Sequence, residues 1–392
     1  MRAVISWLLF LGLLAPQVAG AEIRTILAAD RDPEQVKIQG PRGIAIDPAG
    51  NLYVAAQLSS NLVKIAPDGT ITELVGPAGD GQGHRLGRPR NVVRDKQGNL
   101  YITGEWSANA FRVSADGKQI SQIIGPLGDG QGHLLKRPVW VTLDRNQNVF
   151  VAGQNTNNVF RITPKGVITQ LIDVTGDGEH EFRRPTGMVT DDAGNLYVVA
   201  AKTANAFKIT PTGEITQIVD RNGAGKGKGL IFANGIALDS HGNVIIIGNN
   251  SANVLKITPD GTVTEIMGRE FEGHMTAACS AVATDKKGNV FVSKLGTQGA
   301  FRIAPDGSVS RIIDTNGDGK GEILKTARNI TIDSKGRVYI AGFGSQNIFR
   351  IDPPFGPPPP APKARAPKAA KMAAPEQEET PEIAAEPASA TP

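Results

Sequence analysis

The chain has 392 residues, 46 of them glycine and 26 proline, with a single cysteine and a formal net charge of only +4. One cysteine excludes a fold stapled by internal disulfides, so a core of ordinary apolar side chains must hold the protein together. So small a charge excess, for a chain read as exported, argues against nucleic acid as a partner.

Residues 1–21 read as a secretory leader. Arg2 precedes the apolar run "AVISWLLFLGLLA", and Ala19-Gly20-Ala21 supplies a small-residue cleavage site. The run is short for a membrane span, and no later segment is long and apolar enough to be one. No cysteine follows the cleavage site to take a lipid. The expectation is a periplasmic or secreted protein without a transmembrane segment.

From residue 22 to 352 the chain repeats itself. The motif Asp-x-x-Gly-Asn recurs at Asp47, Asp95, Asp191, Asp239 and Asp285, with variants at Asp144 and Asp333. The mean spacing is roughly 48 residues, within the range of propellers and solenoids. In the first unit "GIAID" reads as a strand, followed by the Asp-Pro-Ala-Gly-Asn turn. "LYVAA" reads as a second strand, "LVKIAP" as a third and "TITELVG", after an Asp-Gly hairpin turn, as a fourth. Short β-branched runs separated by Gly, Asn, Asp and Pro are antiparallel strands joined by tight turns. Four per unit make a propeller blade. The seventh unit ends after its third strand, and "AEIRTILAA" at residues 21–29 has the pattern of the missing fourth. The reading is therefore an all-β, seven-bladed β-propeller of four-stranded antiparallel blades, the last closed by the N-terminal strand.

The stretch "RPTGMVTDDAGNLYVVAAKTANAFKITPTGEITQIV" resembles the NHL-repeat propellers, which share its P-x-G opening, D-x-x-G-N turn and N-x-[FIV]-[RK]-[IV] third strand. The resemblance covers residues 22–352 and implies a fold, not an activity. Beyond residue 353 the chain turns to Pro, Ala and charge. Lys363, Arg365, Lys368 and Lys371 precede Glu376, Glu378, Glu379, Glu382 and Glu386, a composition that predicts a disordered tail.

Seven copies within one chain separate scaffold from site. A residue type found in nearly every blade serves the blade, and one found once or twice serves something else. The turn Asp, the Ser or Thr of the loop between second and third strands, and the Asn two places later are scaffold by this test. That loop and the Gly-Asp-Gly linkers between blades should share the ligand face. On it Trp106, beside Glu105 in blade 2, and Trp140, in blade 3 where other blades carry Gly, Asn or Ala, stand out. With Arg90, Asn91, Gln154 and Asn155 they suggest an aromatic platform ringed by planar polar groups, suited to a sugar-like ligand. Basic linkers add Arg85, Arg88, Lys136, Arg137, Arg183, Arg184, Lys226, Lys228, Lys325 and Arg328, with Lys202 and Lys294 as further members. The propeller segment nonetheless balances 37 basic against 33 acidic groups. A positive mouth would concentrate an anionic ligand. Asn329 completes the set.

Two linkers have a cation-like spacing: Asp314, Asn316, Asp318 and Glu322 in one, and Asp173, Thr175, Asp177 and Glu181 in the other. Alternate oxygen side chains with a glycine after the third suit calcium, though Lys325 and Arg184 stand where a twelfth-position acid would complete the match. Calcium is the one cofactor the pattern nominates.

More distant similarity to gluconolactonase-like propellers implies a channel metal held partly by Asn234, but Arg42 and Gly43 occupy the place of an early acid. Similarity to virginiamycin B lyase implies a Glu and His on the ligand face. Here Glu105 is the one catalytic candidate, and no His stands near it. The leading expectation is a scaffold binding an anionic or carbohydrate-like ligand or an envelope protein. The alternative is a lyase or hydrolase acting in the channel.

Overall fold

A computed structural model describes residues 21–28, 36–225, 227–271, 274–275, 278–295 and 299–355. The leader and nearly all of the tail lie outside the described residues. The described chain is all β: seven four-stranded antiparallel sheets and one small hairpin. Blade 1 is built from Pro41–Ile46, Leu52–Ala56, Asn61–Ile65 and Ile71–Val75. The first strands of blades 2 to 7 are Pro89–Arg94, Pro138–Leu143, Pro185–Thr190, Ala233–Leu238, Cys279–Thr284 and Ala327–Ile332. Each first strand contacts the first strand of the next blade, and blade 7 contacts blade 1, so the ring is closed. It is a seven-bladed β-propeller.

Closure occurs where the sequence places it. Glu22–Leu27 pairs antiparallel with Asn347–Asp352, Glu22 opposite Asp352, and supplies the fourth strand of blade 7. No blade is left with a missing partner strand, which removes an edge prone to intermolecular pairing.

Burial grades outward across each sheet. The second strands, such as LYVAA, LYITG and VIIIG, are buried at all five positions, whereas the fourth strands ITELV and ISQII are buried only at their last residue and are half-buried or exposed elsewhere. The core lies between blades rather than at the centre. One packet combines Tyr53, Leu62 and Val75 of blade 1 with Val92, Ile102 and Phe111 of blade 2. Third-strand phenylalanines Phe111, Phe160, Phe207, Phe301 and Phe349 are fully buried at these junctions. Truncating one to Ala would cost about 3–5 kcal/mol.

The repeated polar residues do the scaffold work the copies suggested. In blade 1 Asp47 Oδ1 accepts the Asn51 N–H at 2.8 Å, and Oδ2 accepts Asn51 Nδ2 at 2.6 Å. All seven turn aspartates accept the equivalent backbone bond. On the other face Ser107 Oγ donates to Asn109 Oδ1 at 2.6 Å, and Asn109 Nδ2 donates to the Arg85 carbonyl at 3.0 Å. This latch ties linker to loop and recurs at Asn61, Asn158, Asn205, Asn253 and Asn347. Between blades 5 and 6 the linker folds into a hairpin, Glu270–Phe271 with His274–Met275. Cys279 is buried and free.

Candidate functional site

Two backbone devices, each repeated around the ring, aim side chains into the mouth of the channel. The first is a β-bulge at the start of every first strand. The pairing register slips between Pro41 and Gly43, Pro138 and Trp140, and the corresponding residues of the other blades. A bulged residue leaves the ladder and its side chain is re-aimed. The bulged positions are Arg42, Arg90, Val139, Thr186, Asn234, Ser280 and Arg328, and all seven line one cavity. The second device is a left-handed residue just before the strand, with φ of 48° at Arg88, 54° at Arg137, 65° at Arg184 and 57° at Phe232. Non-glycine residues there carry strain of about 1–2 kcal/mol, which is held by a bond to the loop opposite. The Glu105 N–H donates to the Arg88 carbonyl at 3.3 Å, and the Gln154 N–H to the Arg137 carbonyl at 3.1 Å. Arg88, Arg137, Arg184 and Phe232 thereby overhang the same cavity.

The cavity has a volume of ≈ 370 Å³ and receives side chains from all seven blades. Six arginines line it, Arg42, Arg88, Arg90, Arg137, Arg184 and Arg328, against one carboxylate, Glu105. Glu105 is buried. Its Oε1 accepts from Arg137 Nε at 2.6 Å and from Arg90 Nη1 at 3.4 Å. Its Oε2 accepts from Gln57 Nε2 at 2.6 Å, while Gln57 Oε1 accepts from Arg42 Nη1 at 3.0 Å. Burial opposes ionisation of Glu105, but the charge of Arg90 and the hydrogen bond and charge of Arg137 prevail. They hold its carboxyl below the ordinary range.

The arginines are under electrostatic load. Burial, then repulsion from Arg137, Arg328 and Arg184 against the attraction of Glu105, brings Arg90 well below the ordinary arginine range, down to about 10. Burial, then the charges of Arg90 and Arg328, pushes Arg42 well below its ordinary value. Burial lowers Arg328 too. Guanidiniums nonetheless keep their protons at neutral pH. Several polar atoms at the mouth have no partner within the protein: Arg88 Nε, Arg328 Nε, Asn329 Oδ1 and Ser280 Oγ.

Nine of the eleven ligand residues expected from the sequence line this cavity: Arg90, Asn91, Glu105, Trp106, Trp140, Gln154, Asn234, Arg328 and Asn329. Asn155 and Lys202 do not, being exposed one residue beyond the lining position of their loops. Trp140 is half-buried and its Nε1 donates to the Met188 carbonyl of blade 4 at 2.8 Å. The third residue of the first strand thus reaches the next blade, as Asn91 does by accepting the Val141 N–H at 3.0 Å. Trp106 is 71% exposed and stacks beneath Arg88, whose guanidinium carbon lies 4.3 Å from the ring centre. Arg184 stacks likewise on Phe232 at 4.9 Å.

The basic ring is narrower than the sequence suggests. Of the linker cations only Arg88, Arg137 and Arg184, the left-handed ones, line the cavity, while Arg85, Lys136, Lys228 and Lys325 are exposed and half-buried Arg183 pairs with Glu181. Lys226 lies outside the described residues. Lys294 is fully buried, its Nζ donating to the Ala252 carbonyl at 3.0 Å, and is no part of the mouth. Arg42, Phe232, Asn249 and Ser280 were not singled out as ligand residues. The signal existed, because the bulged position differs in type from blade to blade.

The cation-like linkers spend their oxygens locally. Asp314 Oδ1 accepts the Asn316 N–H, Asp318 accepts the Lys320 and Glu322 N–H groups and the Thr25 hydroxyl, and Glu322 accepts from Asn347. In the other linker Asp173 binds Thr175, Asp177 binds His180, and Glu181 pairs with Arg183. Among the described residues no group of three or more His, Cys, Asp or Glu is placed to share a metal ion. His84 and His133 pair in the same way with Asp80 and Asp129 of their own linkers.

No protein family and no curated protein matches the sequence. Solved structures do match. One is a streptogramin B lyase, 14% identical with a TM-score of 0.67, covering 85% of this chain and 97% of its own. Another is virginiamycin B lyase from Staphylococcus aureus, 16% identical with a TM-score of 0.65, covering 85% of this chain and 99% of its own. The extracellular domain of a hybrid two-component system from B. thetaiotaomicron is 13% identical with a TM-score of 0.63, covering 84% of this chain and 42% of its own. At such identities the likeness is one of fold. The class is thus a seven-bladed propeller with an arginine-lined mouth. Among the described residues no helix is long and apolar enough to cross a membrane.

Proposed function

We propose that the protein is an exported, NHL-type propeller that binds a small anionic ligand at the mouth of its channel. One observation carries the reading: six guanidiniums from blades 1, 2, 3, 4 and 7 converge on a cavity whose lining holds a single carboxylate. Like charges gathered in a partly desolvated cleft attract and hold an anion, and arginine forks match carboxylate and phosphate oxygens in pairs. The leader-like segment at residues 1–21 supports export.

Binding is favoured over turnover by the state of Glu105. A general acid or base needs a pKa near the working pH and freedom to exchange a proton. Glu105 is instead held anionic by two arginines and hydrogen-bonded by Gln57. No His, Cys or Lys joins it among the described lining residues. Calorimetric titration with succinate, citrate, phosphate and sulfate at low salt tests the reading. Binding by at least one of them is expected, weakened tenfold or more in Arg328→Gln. If no anion binds, or if Arg328→Gln binds as well as the parent, the reading fails.

A further inference from the structure

The mouth is chemically two-sided. Blades 7, 1 and 2 present the bulged arginines Arg328, Arg42 and Arg90, which can only donate hydrogen bonds. Blades 3 and 5 present amides whose orientation is forced. Asn234 Nδ2 donates to the Ser280 carbonyl at 2.7 Å, Asn249 Nδ2 to the Cys279 carbonyl at 2.7 Å, and Gln154 Nε2 to the Pro185 carbonyl at 3.4 Å. A carbonyl can only accept, so each amide must turn its NH₂ to the neighbouring blade. Its oxygen is left for the cavity that the residue lines. Ser280 Oγ beside them is buried without a protein partner. The bulged positions of blades 7, 1 and 2 therefore offer charged donors, and the amides of blades 3 and 5 offer neutral acceptors, with Arg137 paired to Glu105 and Arg184 stacked on Phe232 at the rim between them.

An anion without donors, such as a simple dicarboxylate, answers only the first side. On the basis of the anion-binding reading above, we infer that the ligand is a polyhydroxylated dianion, of the sugar-diacid or sugar-phosphate kind. Its charges face blades 7, 1 and 2, and its hydroxyls donate to the amide oxygens of blades 3 and 5. Of the three bulged arginines, Arg90 already shares Glu105, leaving Arg42 and Arg328 to take two charges, while Arg88 and Arg184 stack on Trp106 and Phe232. The half-buried face of Trp140 lies between the two sides in sequence order around the ring and offers an apolar surface to the C–H groups of such a ligand. A cavity of ≈ 370 Å³ is at the small end of the range for small-molecule sites, which suits a single sugar-sized unit.

D-Glucarate and adipate form a matched pair: both are six-carbon dicarboxylates, and only the first carries hydroxyls. Titrated calorimetrically into the full chain, glucarate is expected to bind about tenfold or more tightly than adipate, as two or three hydroxyl bonds would give. Glucose, with hydroxyls and no charge, should bind weakly or not at all. Asn234→Leu and Asn249→Leu should each weaken glucarate several-fold while leaving adipate unchanged. Arg328→Gln should weaken both acids. Adipate binding as tightly as glucarate overturns this inference while preserving the anion reading, as does an Asn249→Leu variant that is correctly folded and keeps full glucarate affinity. Failure of both acids to bind overturns this inference, and the anion reading falls with it only if succinate, citrate, phosphate and sulfate fail to bind as well.

Discussion

Arg42→Gln should make the ligand-free protein more stable. Arg42 is a mostly buried guanidinium whose Nη1 donates to Gln57, and it has no carboxylate of its own. Its neighbour Arg90 provides a scale. Its fall from the ordinary arginine range to about 10 corresponds to roughly 3 kcal/mol of unfavourable environment for the charged form, even with Glu105 beside it. Arg42 is lowered by the same causes, burial first and then Arg90 and Arg328. Replacing it with Gln removes the charge and keeps a polar group for Gln57, at the loss of about 1 kcal/mol of packing and hydrogen bonding. The net expectation is a gain of about 1–2 kcal/mol. With an unfolding entropy of ~2.1 cal/mol/K per residue over the propeller, the melting midpoint rises by roughly 1–3 °C. Scanning calorimetry at low salt would read the rise, which should shrink at high salt as the repulsion in the parent is screened. A bound dianion should reverse the order by raising the midpoint of the parent and not of the variant. A variant that melts below the parent at low salt refutes the claim that the mouth is electrostatically loaded.

Glu105→Gln should act in the opposite sense, destabilising the protein at neutral pH by about 2–3 kcal/mol because Arg90 and Arg137 lose their counter-charge. The Glu105 carboxyl is lowered on folding, so its contribution is complete above the ordinary glutamate range and disappears as pH falls through the lower folded value. Urea midpoints of parent and variant should therefore converge in acid, and a constant gap down to that range would contradict the pairing. Asn158→Ala should cost about 2 kcal/mol by leaving the Leu134 carbonyl unanswered, with ligand affinity unchanged. A large affinity loss without a stability loss would move this residue from scaffold to site. In a chain beginning at Glu22, Trp106→Phe should remove most of the fluorescence open to an added quencher, since Trp106 is 71% exposed and Trp140 half-buried. Equal quenching of Trp106→Phe and of the matching Trp140→Phe would be inconsistent with the geometry.

The architecture was legible because blade grammar is local. Turn aspartates, β-branched runs and the loop Ser/Thr–Asn pair each act within a few residues or on the adjoining linker, and copies of them reveal the period. Even ring closure could be read, because a missing fourth strand and a spare first strand share one pattern. The site was legible only in part. Trp140 and Glu105 announced themselves by being unlike their siblings. Asn155 and Lys202 share the loop position of Trp106, but lacking its large ring they stand exposed to solvent outside the lining. Arg42 was passed over because it stood where an acid was sought, though its place in the bulge is the same as that of Arg90. Sequence spacing also made Asp314, Asn316, Asp318 and Glu322 look like a shared coordination sphere. In the fold they are committed to amides of their own loop and to Thr25 and Asn347. Lys294 followed the basic linkers by charge alone, and only packing shows that it is interior.

The bulge at the head of each first strand has a wider implication for how such a protein changes. Its seven residues have no rung in the ladder, so replacing one leaves every strand pairing intact. Here they spell Arg, Arg, Val, Thr, Asn, Ser, Arg. The ring thus works as a lock with seven independently settable pins around one keyhole. A new specificity would need only a new word at those pins, with the barrel that carries them left untouched.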